Sequence, residues 1–212
     1  MAKNRLMLLA VLVSAGLSVV TLIVLHSREP IYRGRTMGSW LKSSLRSGME
    51  TDPEMEEQVW TSFGSNAVPF LRKALDARDG PFDKTYCALC RHLPDWIKSH
   101  LVYDPPPGAI IRWRAADGLG FMGKSAASAI PDLIRLSKTD QAGLISKGFV
   151  RGRAVAALGN IGQNLKPSDP SYQAVTKALI EALNDADAEV RSIAANSLRL
   201  QYPEAAAKAG IK

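Results

Sequence analysis

Apolar positions along the chain fall into two regimes. Leu6 to Leu25 runs for 20 residues without a charged side chain, about 30 Å if helical, which is the thickness of a bilayer core. Beyond it, apolar residues recur at helical spacing. Met37, Trp40, Leu41 and Leu45 form one such stripe, on a helix that Thr36 can cap and that extends through about Ser47. Asp52 followed by Pro53 opens a helix carrying Met55, Val59, Trp60 and Phe63, and Gly64 ends it. A further helix from about Asn66 to Ala77 gathers Val68, Leu71 and Leu75, and the Arg78-Asp79-Gly80-Pro81 turn closes it. No stretch shows the period-2 alternation of strands, so everything beyond the apolar stretch reads as all-α. Glu29-Pro30-Ile31-Tyr32-Arg33-Gly34-Arg35 has the proline, glycine and charges of a linker.

Internal repetition is the strongest signal. The segment Ile111-Arg112-Trp113-Arg114-Ala115-Ala116-Asp117-Gly118-Leu119-Gly120 aligns with the segment from Val150 to Gly159 at an offset of 39, and Val190 to Leu198 aligns with that copy at an offset of 40. These offsets have the length of a two-helix solenoid repeat. Partner helices repeat as well: Ala67 to Leu75, Ala129 to Leu136 with Pro131 in its first turn, and Tyr172 to Leu183. The glycines after Leu119 and Leu158 can let the chain leave its helix through positive φ, and Asp185 or Asp187 can cap the helix that holds Val190. About four such pairs stack, and the second helix of each is expected to line a concave surface.

The Val-Arg, Ala-Ala and Leu-Gly spacings, together with the Ile130-Pro131 helix start, resemble HEAT repeats of the short bacterial type, the type also found in bilin lyases. The Glu29-Pro30-Ile31-Tyr32 linker before Trp40-Leu41 is similar to the leader of membrane-anchored HEAT-repeat proteins of planctomycete and verrucomicrobial bacteria. The resemblance implies an α-solenoid of HEAT-like helical pairs, preceded by one transmembrane helix, and a role in protein binding or scaffolding. It names no catalytic residue. Phe82 to Tyr103 breaks the spacing, and Ser197-Leu198-Arg199-Leu200 lacks the closing Leu-Gly.

Composition changes this picture little. With 212 residues, 46% apolar and 22% charged, the chain is neither disordered nor collagen-like, and two cysteines exclude a disulfide framework. The formal charge of +7 is spread without a basic tail or run, which places nucleic acid below protein as a partner. Lys3 and Arg5 precede the apolar stretch, which continues well past its one small-residue cluster, Ser14-Ala15-Gly16. An uncleaved signal-anchor is therefore favoured over a cleaved signal peptide, with the domain outside the cytoplasm. The expected division is an anchor over 1–27, a linker and first helix over 28–51, and a repeat domain over 52–212 with a helical insert near 82–103.

Candidate chemistry is thin. Cys87-Ala88-Leu89-Cys90 with His92 and His100 invites zinc, haem and redox readings. Arg91 occupies the position a CxxCH haem site would give to histidine, and His92 points away from Cys90 on a helix, so two reduced structural thiols are favoured. Glu54, Glu56 and Glu57 suit the positive end of a helix better than acid-base work. Arg112, Arg114, Arg151, Arg153 and Arg191 recur with the repeat and are expected to pair with loop aspartates or to cover apolar surface with their stems. No cofactor, metal or catalytic residue is expected. The favoured function is a membrane-tethered, non-catalytic interaction module contacting a protein partner through Arg72, Lys73, Arg135, Lys138, Lys177 and Glu181. A nucleic-acid-binding helical-repeat domain and an accessory lyase or chaperone acting on a protein substrate are the alternatives.

Overall fold

The computed structural model describes residues 29–43, 53–80, 108–140 and 148–210. The apolar stretch, the cysteine-containing insert and the segment joining the two longest repeats lie outside them. Among the described residues, no helix is long and apolar enough to cross a membrane.

The chain enters through a short antiparallel hairpin, β1 (Ile31–Tyr32) and β2 (Arg35–Thr36), where a linker was expected. Its turn has φ of 48° at Arg33 and 72° at Gly34, the positive pair that a two-residue type I′ connection requires. Four residues are too few for a period-2 signal. Thr36 then caps α1 (Met37–Ser43) by accepting a hydrogen bond from the Ser39 amide at 3.2 Å, and the Glu29 carboxylate accepts from the Gly38 amide.

Among the described residues, four helical pairs follow in chain order: α2 (Pro53–Phe63) and α3 (Val68–Ala74), α4 (Gly108–Phe121) and α5 (Ile130–Thr139), α6 (Phe149–Gly162) and α7 (Pro170–Ala182), α8 (Ala188–Gln201) and α9 (Pro203–Lys208). Helix starts follow the local rules. Asp169 and Asp187 cap α7 and α8 by accepting hydrogen bonds from the amides two residues on, at 2.8 and 2.9 Å. Prolines sit in the first turns of α3, α5, α7 and α9, where no intrahelical N–H is needed.

Packing between repeats corrects two expectations. Each second helix beds chiefly against the first helix of the following pair: α3 on α4 and α5 on α6, while α7 contacts both α6 and α8. Helices α4, α6 and α8 also approach one another far more closely than α3, α5 and α7 do. A stack whose layers differ in this way bends toward the closely spaced one, so the inner surface belongs to the first helices. Glycine makes the approach feasible. Gly120 and Gly159 stay helical instead of ending α4 and α6; a Cβ on Gly120 would stand 3.1 Å from Ala157 Cα, and one on Gly159 would stand 3.0 Å from Ser197 Oγ. The exit from α4 falls later, at Gly123, with φ of 53°.

The core runs through the whole stack. Leu71, Leu119, Leu133, Leu158, Ile161, Leu179 and Leu198 are fully buried. Of the apolar residues spaced as helical stripes, Met55 is instead exposed and Trp40 is half-buried. Tyr202, at the start of α9, is also fully buried, and its hydroxyl donates to the Gly159 carbonyl at 2.8 Å. Burial pushes its pKa above the ordinary phenol value.

The recurrent arginines stitch the loops together. Arg151 forms a bidentate pair with Asp185 (3.0 and 2.8 Å) and donates to the Asp140 carbonyl at 2.9 Å, joining the loops before and after its own pair of helices. Arg112 repeats the pattern one unit earlier, on Asp140 and the Ala77 carbonyl, both at 2.5 Å. Arg191 donates to the carbonyls of Asp185 and Ala186. Pairing with loop aspartates, the expected structural role, is thus observed for Arg112 and Arg151.

Candidate functional site

A cavity of about 290 Å³ opens on the inner layer, between α2, α4 and α6. Trp113, Asp117, Gly120 and Phe121 line it from α4, Arg153, Ala157 and Asn160 from α6, and Glu56 from α2. Helical spacing aligns the α4 side: Trp113 and Asp117 are four residues apart, and the indole N–H donates to Asp117 Oδ2 at 2.6 Å. Small residues, Gly120 of α4 with Ala156 and Ala157 of α6, complete the lining.

Charge in the cavity is paired but unevenly. Arg114 donates to Glu56 at 2.5 Å, and its side chain is 10% exposed. Arg153 stands 3.9 Å from Asp117 Oδ1, beyond hydrogen-bond reach. Its guanidinium lies instead over the rings of Trp113 and Phe149, 5.7 and 5.3 Å from their centroids. Those two rings meet edge to face at 5.0 Å. Burial raises the Asp117 carboxyl to about 6, because desolvation outweighs the attraction of Arg153 and the Trp113 hydrogen bond, and Glu56 adds repulsion.

Such a site can recognise a side chain through aromatic faces, one underpaired carboxylate and one half-exposed guanidinium. Glu56, the other carboxylate among the described residues that line the cavity, is held by Arg114. Among the described residues, no group of three or more His, Cys, Asp or Glu is placed to hold a metal.

The six residues expected to contact a partner lie on the outer layer. Arg72 and Arg135 both reach Asp132, at 2.6 and 3.6 Å, and Arg135 also pairs with Asp76 at 2.9 Å. Lys138 pairs with Glu181 at 2.6 Å, and the ammonium beside it holds the Glu181 carboxyl below its ordinary value. Lys73 and Lys177 are exposed on α3 and α7. These groups bridge α3 to α5 and α5 to α7, and none of them lines the inner cavity. Departure from the repeat would have pointed to the inner site instead. Trp113 aligns with Gly152 and Ser192, and Asp117 with Ala156 and Asn196, so a large ring and an acid appear where the other copies keep small or neutral residues.

Comparison with known families gives one match: residues 150–185 fit the PBS lyase HEAT-like repeat. The matched segment holds α6, α7 and the loop with Asp185, one complete unit of the stack. No curated protein and no solved structure matches the chain. This segment is therefore a HEAT-like repeat within a mostly helical, solenoid-like chain, and repeats of this kind typically mediate protein interaction or scaffolding.

Proposed function

We propose that the chain is a membrane-tethered, non-catalytic interaction module whose inner groove holds a segment of a partner protein. The observation carrying this reading is the cavity itself: two aromatic side chains, Trp113 and Phe121, flank a space of about 290 Å³, enough for one large side chain of an extended segment, with Asp117 and Arg153 to fix its orientation. Outer-layer charges are a weaker basis, because Arg72, Arg135, Lys138 and Glu181 pair among themselves or with Asp76 and Asp132. In this reading residues 6–25 anchor the protein, residues 28–51 lead into the stack, residues 52–212 form it, and the domain lies outside the cytoplasm. The nucleic-acid alternative needs a basic inner face, and there Arg114 and Arg153 each face a carboxylate. The lyase alternative rests on the description of the matched family alone.

Photo-crosslinkers placed in intact membranes at Phe121 and, in separate variants, at Lys73 and Lys177 test the face. A protein adduct from position 121, lost when Trp113→Ala is added and absent from positions 73 and 177, is the expected result. Adducts from the outer positions alone would move the interface to the second helices. Recovery only of nucleic acid, with salt-sensitive binding, would replace the module with the first alternative.

A further inference from the structure

We infer that the β1-β2 hairpin is a lipid-contacting foot that seats the solenoid on an anionic membrane surface. The inference rests on the proposed tether, since only five residues lie between Leu25 and Ile31, and the six steps can span no more than about 20 Å even fully extended. A hairpin on so short a lead stays within about two Debye lengths of the headgroups.

Its surface chemistry fits that position. Ile31 is 67% exposed, the second most exposed large apolar residue among those described, on a hairpin whose Arg33 and Arg35 are both exposed. The arginines lie over aromatic rings, Arg33 at 5.4 Å from Tyr32 and Arg35 at 5.1 Å from Trp40. An exposed aliphatic side chain and guanidinium groups, next to a half-buried phenol and indole, are side chains that suit the water-hydrocarbon boundary. Lys42, exposed at the end of α1, adds a third cation. Glu29, the nearest acid in sequence, is occupied at the α1 N-terminus through the Gly38 amide.

The hairpin is also rigidly joined to the stack. The Trp40 indole donates to the Tyr32 carbonyl at 3.2 Å, the Met37 amide to the Pro30 carbonyl at 3.1 Å, and the Tyr32 ring meets Phe63 of α2 edge to face at 5.9 Å. Seating the hairpin therefore fixes the tilt of the whole domain, where a flexible linker would leave it free.

The test uses the full chain in nanodiscs of phosphatidylcholine, with and without phosphatidylglycerol. Phenylglyoxal modification of Arg33 and Arg35 is read by mass spectrometry against Arg199, exposed on α8; retention on the discs through high-salt gel filtration reports the tether separately. Modification slowed on the order of fivefold by phosphatidylglycerol, and restored by salt, is expected. Equal rates in both lipids on retained protein would overturn the foot and leave the tether standing. Loss from both discs at high salt, with protection on the anionic discs at low salt, would remove the tether and keep the foot. Neither retention nor protection would end both. A double variant, Arg33→Asn with Arg35→Gln, keeps the turn because Asn-Gly is its favoured sequence. Amide exchange over residues 31–43 should match wild type on phosphatidylcholine and lose the added protection on anionic discs; retained protection would refute the role of the arginines.

Discussion

Replacing Arg151 by methionine removes three hydrogen bonds to described residues at once while keeping much of the apolar stem. Two go to the Asp185 carboxylate and one to the Asp140 carbonyl. The pair is largely shielded, with side chains 11% and 14% exposed. Asp185 keeps an amide donor, Asp187 N at 2.8 Å, and the attraction of Arg191. Breaking one side of a buried charged pair costs about 3–5 kcal/mol, and the surviving donor reduces that to about 3 kcal/mol here. In a domain of this size the loss corresponds to a fall in Tm of roughly 6–12 °C. Urea unfolding of residues 28–212, followed by far-ultraviolet circular dichroism, gives the value. Arg72→Met is the control, since the Arg72 side chain is 43% exposed against Asp132 and its loss should cost less than about 1 kcal/mol. Arg151 holds the Asp185 carboxyl below its ordinary value of 3.8. The stabilisation is therefore complete above that pH and disappears as pH falls through the lowered value, so wild type and Arg151→Met should converge in acid. A cost no greater than that of Arg72→Met, or a difference that persists undiminished in acid, would refute the loop-stapling role.

Three further changes probe the inner layer. Asp117 titrates near 6 instead of 3.8, so its ionised form disfavours the folded state once pH exceeds 6 and has no such effect below about 4. Asp117→Asn should raise stability at pH 7.5 by about 2 kcal/mol, allowing for a side chain one-fifth exposed, and the gain should vanish near pH 4; a neutral effect at pH 7.5 would contradict the burial argument. Gly120→Ala adds helix propensity worth about 1 kcal/mol but sets a methyl 3.1 Å from Ala157 Cα, where overpacking costs about 1–3 kcal/mol. Net destabilisation in the same urea assay is expected, and a stabilised variant would show that α4 and α6 have slack. Tyr202→Phe deletes the hydrogen bond to the Gly159 carbonyl, which still accepts from the Gln163 amide; differential scanning calorimetry should show a loss of about 1 kcal/mol, and a loss above about 3 kcal/mol would mean that the hydroxyl does more than cap one carbonyl.

What the sequence determined by itself is local or periodic. A 39-residue offset announces helices at Gly108, Phe149 and Ala188 because each copy must bury the same face of a 3.6-residue turn. Thr36 and Asp187 cap helices, and Pro131 begins one, through contacts within four residues of themselves. Arg112 and Arg151 were legible as partners of loop aspartates for the same reason: the repeat brings the two residue types together each time. Which layer is concave was decided only in three dimensions, because curvature depends on how closely helices from different repeats can approach. Gly120 and Gly159 set that approach from the last turns of α4 and α6, positions that also read as helix exits. The site was hidden by the same cause. Trp113 and Asp117 share one helix, but the desolvation that moves Asp117 to about 6, and the guanidinium and carboxylate facing it, come from α6 and α2. Burial is a property of the assembled neighbours, and no window along the chain contains residues 56, 117 and 153 together.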